Sequence, residues 1–283
     1  MVWDALVLAG GGVAGIAWET GVLLGLSEGS PAVARALTAG STHYIGTSAG
    51  STVAAQLASG TPLQELYDAQ IAGTVQEISV TLDLQAFGSM MAGAMQGAAS
   101  PEEARRRIGA IALAAVTPSV AARRAVIESR LPSHSWPGRP LRIPALDTAT
   151  GELRVFDQAS GVALVDAVAA SCAVPGIWPP VEIGAALYMD GGMRTVANAD
   201  LAAGAERALI LVPGPEVSPM GPALTPPELA ALSRTRLQVV YADEDSLAAM
   251  GSNPLDPRSR GPAAEAGRRV GRRAAESVAA LWE

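Results

Sequence analysis

The chain has 283 residues, of which 49% are hydrophobic and 17% charged, a balance typical of a globular protein rather than a disordered one. Its 27 acidic residues outnumber its 20 basic residues and give a net charge of −7, which argues against a nucleic-acid-binding protein. Lysine is absent, and the chain has one cysteine and two histidines, so that we expect no lysine-based catalysis, no His/Cys metal site and no cofactor held by a P-loop lysine.

The N-terminal segment lacks the pattern of a secretory signal. Asp4 stands where such a signal has basic residues, and three glycines interrupt the apolar residues that follow. No stretch reaches the roughly 20 consecutive apolar residues that a membrane-spanning helix needs. The sequence therefore predicts a cytoplasmic protein with reduced Cys172, and membrane contact that is at most peripheral and transient.

In the first 60 residues, short apolar segments alternate with helical patterns. Residues 5–8 form an apolar run that ends in the glycines at 10–12, and residues 13–26 are typical of a helix. A second short strand is predicted at residues 43–45, and a second helix begins near Ser48. This alternation predicts an α/β protein with a sheet flanked by helices.

The rest of the chain continues this pattern with a helical insertion. Residues 62–131 are predicted to be mostly helical, with breaks at Gly88 and Gly93, and are a candidate lid or cap. The elements predicted after them are strands at 141–146, 153–156, 187–189 and 208–212, a helix at 164–172, and a helical C-terminal extension at about 227–283. We expect a single domain over residues 1–283.

Gly46-Thr47-Ser48-Ala49-Gly50 fits the pattern G-x-S-x-G. Small neighbours allow a strand to turn sharply into a helix, so that the serine hydroxyl lies exposed at the helix N-terminus. A purely structural Gly/Ser turn is the alternative. The predicted strand before the motif and the helix after it favour Ser48 as a nucleophile.

A nucleophilic serine needs a base. Both histidines, His43 and His134, precede every plausible late acidic residue, which argues against the order Ser, acid, His of an α/β-hydrolase triad. Asp190 follows an apolar strand and precedes Gly191 and Gly192. Although an ordinary Asp-Gly turn would have the same pattern, Asp190 is the candidate base.

The run Gly10-Gly11-Gly12-Val13-Ala14-Gly15 allows two interpretations. It fits the dinucleotide-binding pattern G-x-G-x-x-G, but the second strand ends without the acidic residue that such a site uses for a ribose. Alternatively, consecutive backbone N–H groups at a helix N-terminus stabilise an oxyanion. We favour the second interpretation, with Gly10, Gly11, Gly12 and Val13 forming the oxyanion hole.

Together these three segments resemble the patatin-like phospholipase family. The segment at 170–176 and Asn198, eight residues after Asp190, are also similar to that family, and the resemblance covers roughly residues 5–212. It implies a patatin-like three-layer α/β fold with a central, mostly parallel sheet. It also implies a Ser48–Asp190 dyad that cleaves carboxylic esters of lipids through an acyl-enzyme, without a metal or cofactor.

One residue departs from the family pattern. The family's glycine loop usually has a basic residue one position before its last glycine, where this chain has Ala14. Ala14 therefore leaves open a catalytically weak lipid-binding relative as an alternative to a lipid or ester hydrolase. An acyltransferase with the same dyad is a second alternative, because it would use the same acyl-enzyme. Oligomeric state, head group and chain length are not predicted.

Two further groups of residues have a functional and a structural interpretation. Flexible apolar side chains can line an acyl-chain groove or fill the core, and the candidates are Phe87, Met90, Met91 and Met95. Arginines on a helix can contact anionic lipid or form a solvated face, and we favour the solvated face for the helix at 262–282 and for the pair Arg123 and Arg124.

Overall fold

The computed structural model describes residues 2–73, 76–219 and 221–282. Its central sheet contains eight strands of this part of the chain: β1 Asp4–Leu8, β2 Thr42–Gly46, β3 Leu141–Asp147, β4 Leu153–Phe156, β5 Val181–Ile183, β6 Ala186–Asp190, β7 Arg207–Val212 and β10 Arg236–Tyr241. Two further strands, β8 Val217–Ser218 and β9 Gly221–Pro222, form a separate ribbon. The spatial order of the central sheet is β10-β7-β1-β2-β3-β6-β5, with β4 also paired to β3.

The sheet is mostly parallel, as predicted. Strands β10, β7, β1, β2 and β3 run parallel to one another, whereas β4 and β6 are antiparallel to β3 and β5 is antiparallel to β6. The carboxyl ends of β1 and β2 therefore lie at the same sheet edge, where ligands usually bind in such folds. The glycine loop and Ser48 follow these two ends directly.

Helices cover both faces of the sheet. Along β1, Leu6 and Leu8 point into one hydrophobic cluster and Ala5 and Val7 into another, as expected for a strand buried on both faces. The helices are α1 Gly12–Gly29, α2 Pro31–Thr38, α3 Ala49–Ala58, α4 Leu63–Ala72, α5 Leu84–Met95, α6 Pro101–Ala114, α7 Val120–Arg130, α8 Leu164–Ser171, α9 Pro226–Ala231, α10 Glu244–Met250 and α11 Arg260–Ala279. The result is the expected three-layer α/β arrangement. None of the helices in the described ranges is long and apolar enough to cross a bilayer.

Two predictions of secondary structure were wrong. The C-terminal part is not wholly helical, because residues 236–241 form β10, which pairs with β7 at the sheet edge. Its residues are mostly half-buried and include Arg236 and Gln238, so that hydrophobicity alone does not reveal it. Helix α5 continues through Gly88 and Gly93, since glycine weakens a helix by only about 1 kcal/mol.

Helices α1 and α11 approach each other through glycines. A Cβ atom added to Gly21 would lie 2.1 Å from the Ala264 carbonyl oxygen, and one added to Gly271 would lie 2.2 Å from the Val22 carbonyl oxygen. Such distances are far below van der Waals contact, so the two backbones touch without side chains between them. Val270 and Val278 of α11 are buried. The glycines of this interface were not anticipated.

The contact predicts that replacing two different glycines of α11 with alanine changes the free energy of unfolding by very different amounts. Gly271→Ala forces a methyl group into the backbone of α1 and is expected to lower the free energy of unfolding by roughly 1–3 kcal/mol. Gly261→Ala is the matched control, because no atom lies within 4 Å of its added Cβ. Chemical denaturation of both variants measures the difference. Equal stability would contradict the close approach of the two helices.

Candidate active site

Ser48 lies at the turn between β2 and α3 in a strained backbone conformation, with φ 52° and ψ −117°. A Cβ atom at Gly46 would lie 2.3 Å from the Gly50 carbonyl oxygen, and one at Gly50 would lie 2.1 Å from the Leu8 carbonyl oxygen. Both glycines of the motif are therefore required by close backbone contacts. Strain of this kind is concentrated at functional sites.

Residues at the C-terminal end of helix α8 form hydrogen bonds with the backbone of Ser48. The Ser48 N–H donates to Ser171 Oγ at 2.9 Å, and Ser171 Oγ donates to the Pro144 carbonyl at 2.7 Å. The Ser48 carbonyl accepts from Ser51 Oγ at 2.6 Å and from the Cys172 thiol at 3.2 Å. Sequence reasoning placed residues 170–176 only before Asp190 and missed this contact, for which small polar residues on an apolar helix are a weak signal.

Asp190 lies at the end of β6 and is 2% exposed. Burial raises the pKa of its carboxyl to about 6, while hydrogen bonding with the Ser48 side chain and with the Gly192 N–H opposes the rise. The Gly192 N–H donates to Asp190 Oδ1 at 2.7 Å. The predicted nucleophile and base, about 140 residues apart, are thus brought together. The carboxyl is ionised at neutral pH yet basic enough to accept a proton.

Asn198 connects the turn of Ser48 to the turn of Asp190. Its backbone is left-handed, with φ 48°, and its Nδ2 donates to Thr47 Oγ1 at 3.1 Å and to the Gly191 carbonyl at 3.1 Å. Each turn therefore carries one acceptor for the same buried amide. Asn198 positions the two loops relative to each other.

The glycine loop presents fewer free donors than predicted. The Gly10 N–H donates to the Val196 carbonyl at 2.8 Å, and the Ala14 N–H donates to the Pro254 carbonyl at 2.9 Å. Within the described ranges, no acceptor is recorded for the N–H groups of Gly11, Gly12 and Val13. The prediction that Gly10 is a donor needs correction, because the turn after β1 uses its N–H to hold residue 196.

A cavity of about 20 Å³ lies beside the serine, and Gly12, Val13 and Ser48 are among the residues that line it. This volume holds about one water molecule. Arg123 and Trp178 line the same cavity, and neither histidine does. Sequence reasoning assigned Arg123 to a solvated face, which was wrong: its side chain is 5% exposed. The arginine pair gives no local signal that one member points inward.

The four candidate acyl-binding residues divide into two pairs. Met91 and Met95 line a mainly apolar groove of about 460 Å³ that also reaches Gly10 and Gly192 beside the site. Phe87 and Met90 instead pack against a small hydrophobic cluster that includes Met91.

Comparison with known proteins agrees with the geometry. A family model described as patatin-like phospholipase matches residues 6–203. The chain belongs to the patatin-like phospholipase family. The match confirms the resemblance found in the sequence, and membership of a patatin-like phospholipase family indicates hydrolysis of lipids in general terms. No match is found among curated proteins.

Several solved structures are similar to this chain. VipD from Legionella pneumophila is 12% identical with a TM-score of 0.47, and the match covers 98% of this chain and 67% of that one. The type III effector ExoU is 18% identical with a TM-score of 0.42, covering 99% and 53%. Full-length ExoU in complex with SpcU, from Pseudomonas aeruginosa, is 17% identical with a TM-score of 0.36, covering 95% and 52%. The chain thus spans about half the length of the ExoU chains.

Proposed function

We propose that this protein is a serine acyl hydrolase that cleaves carboxylic esters of lipids, with Ser48 as the nucleophile and Asp190 as the general base. The observation that carries the proposal is the buried pairing of the Ser48 hydroxyl with a carboxyl whose burial raises its pKa to about 6. Membership of the family supports the lipid character of the substrate.

In the proposed reaction, Asp190 accepts the proton of Ser48 Oγ as that oxygen bonds to the ester carbonyl carbon. The carbonyl π electrons move to the oxygen and form a tetrahedral oxyanion. When this intermediate collapses, the alcohol leaves with the proton from Asp190, and the acyl group stays on Ser48. Water then attacks the acyl-enzyme with Asp190 again as base. As the second tetrahedral intermediate collapses, Asp190 returns the proton to Ser48 Oγ, and the free carboxylic acid leaves.

The free backbone donors next to Ser48 suit the oxyanion. We assign this role to the N–H groups of Gly11, Gly12 and Val13, at the N-terminus of α1, where the helix dipole also favours negative charge. A Cβ atom at Gly11 would lie 2.4 Å from the Pro213 side chain, and one at Gly12 would lie 2.7 Å from the Pro254 carbonyl oxygen. A side chain at either position would displace the loop.

The groove lined by Met91 and Met95 is the proposed site for the acyl chain. It is mainly apolar and begins beside Gly10 and Gly192, next to the two reacting side chains. Flexible thioethers adapt to chains of different shape. Since lipid esters reside in membranes and aggregates, the proposal includes transient contact of a cytoplasmic protein with a lipid surface.

A fluorophosphonate probe tests the proposal directly. We expect the probe to label the wild-type protein, with peptide mass spectrometry locating the adduct on Ser48. The labelling rate should rise with pH and level off above an apparent pKa of about 6, because Asp190 accepts a proton only when ionised. A wild-type protein that is not labelled would refute the nucleophile, and a rate independent of pH between about 4 and 8 would refute the base.

A further inference from the structure

Arg123 of α7 is a buried cation that lines the cavity beside Ser48. Its side chain is 5% exposed, and its guanidinium carbon lies 3.9 Å from the ring centre of Trp178. Neither its Nε nor its Nη1 has a hydrogen-bond partner in the described part of the chain. Burial lowers the pKa of Arg123 to about 10, which leaves the guanidinium protonated at neutral pH.

The carboxylate of Glu77 serves two other arginines. Glu77 accepts from Arg130 Nε at 2.9 Å and from Arg130 Nη2 at 2.6 Å, and its Oε1 lies 3.7 Å from Arg260 Nη1. Within the residues described, Arg123 forms no ion pair at 4 Å or less, and the carboxylates of Glu77 and Asp190 act on it only at longer range. A buried cation without a close anion is unfavourable, so an anion that enters the cavity would be bound strongly.

The size of the cavity limits what that anion can be. About 20 Å³ accommodates one oxygen atom or water molecule, whereas a phosphate group would need the cavity to open. Gly12 and Val13 line the same space as Ser48 and Arg123. The ester oxygen that becomes negative when Ser48 attacks is of the required size, charge and position.

We propose that Arg123 is a catalytic residue that stabilises the tetrahedral oxyanion together with the backbone N–H groups of the glycine loop. The inference rests on the proposed function and adds to it a charged donor from a separate helix. A preorganised cation in a water-poor site stabilises a developing charge more strongly than a neutral donor does.

The direction of charge movement determines the effect of Arg123 on the rate. Before the reaction the negative charge is on Asp190, which does not line the cavity. As Asp190 takes the proton of Ser48, the negative charge moves to the ester oxygen in the cavity that Arg123 lines. The guanidinium therefore gains interaction in the transition state, and its removal lowers kcat more than it raises KM.

The test compares kcat and KM of the wild type, Arg123→Gln and Arg123→Met on p-nitrophenyl butyrate. We expect kcat to fall roughly 10- to 100-fold in both variants with KM changed less than about threefold. Arg124→Gln is the matched control, because the neighbouring Arg124 is 40% exposed and pairs with Glu128 and Asp166. Loss of an unpaired buried charge should leave Tm equal or higher, so a lower rate will not reflect unfolding.

A second readout separates oxyanion binding from a structural role. An alkyl trifluoromethyl ketone forms an anionic adduct with a serine nucleophile, whereas the matched methyl ketone remains a neutral ligand. In Arg123→Gln, affinity for the trifluoromethyl ketone should fall by about the same factor as kcat/KM, with a smaller change for the methyl ketone. Unchanged affinity for the trifluoromethyl ketone would overturn the inference.

A pair of substrates distinguishes whether Arg123 binds the oxyanion or a phosphate group of the substrate. Monoacylglycerol and lysophosphatidate with the same acyl chain differ in one phosphate group. Equal losses of activity on both substrates in Arg123→Gln support the inference. A loss confined to lysophosphatidate overturns it by assigning Arg123 to the head group.

Failure of the inference differs from failure of the proposed function. If the wild type hydrolyses no ester and is not labelled by fluorophosphonate, the proposed function itself fails. Full activity of Arg123→Gln refutes only the role of Arg123.

Discussion

Replacing Ser48 with alanine is expected to lower ester hydrolysis by at least about 10³-fold, since loss of a serine nucleophile removes the acyl-enzyme route and leaves only binding and oxyanion stabilisation. The same variant should not react with fluorophosphonate. The turn should persist, because Gly46, Gly50 and the hydrogen bonds to the Ser48 backbone are unchanged. Initial rates on p-nitrophenyl esters measure the loss of hydrolysis, and circular dichroism measures whether the fold is retained.

The control for this variant lies at the far end of the helix that follows Ser48. Ser59→Ala removes a hydroxyl that bonds to the Gln56 carbonyl at the end of α3, away from the reacting groups, and is expected to keep the wild-type rate. If Ser48→Ala and Ser59→Ala hydrolyse esters equally well, Ser48 is not the nucleophile and the proposed function is wrong.

Replacing Asp190 with asparagine is expected to lower kcat by roughly 10³-fold or more, because the variant has no base for the Ser48 proton. It should also make the protein more stable at neutral pH. The carboxyl has a pKa of about 6 in the folded protein and an ordinary value of 3.8. The folded state therefore holds its proton more tightly, and ionisation of this buried group destabilises the fold.

The sign of this effect sets its pH dependence. Below about pH 4, Asp190 is protonated in both folded and unfolded states and contributes no penalty. Between about pH 4 and 6 the unfolded state loses the proton first, and above about pH 6 the penalty reaches about 3 kcal/mol, from a difference of about two pKa units. The asparagine side chain of the variant does not ionise, so the stability advantage of Asp190→Asn should appear only as pH rises.

Denaturant unfolding of the wild type and Asp190→Asn at about pH 4 and about pH 8 measures this difference. Asp68→Asn, at an exposed position of α4, controls for the loss of one negative charge and should show no such advantage. An Asp190→Asn variant that is less stable than the wild type at the higher pH would show that the carboxylate is stabilised, not penalised, by its surroundings.

The sequence by itself determined the strands and turns that carry the two proposed catalytic residues. Gly46 and Gly50 flank Ser48 because the backbone at that turn leaves no room for their side chains. The pattern G-x-S-x-G shows this requirement in the sequence itself. Asp190 was the candidate base because two glycines follow it at the end of an apolar strand. These signals depend on residues within a few positions of one another, so local chemistry was enough to read them.

Only the tertiary structure decided which groups surround the reacting atoms. Ser48 and Ser171 are separated by 123 positions and meet through one hydrogen bond. The inward side chain of Arg123, the use of the Gly10 N–H by Val196 and the pairing of β10 with β7 likewise depend on distant segments. Composition and periodicity describe how much of each element is apolar. They do not specify which partner occupies each contact, because burial and hydrogen bonding are set by the packing of the whole chain.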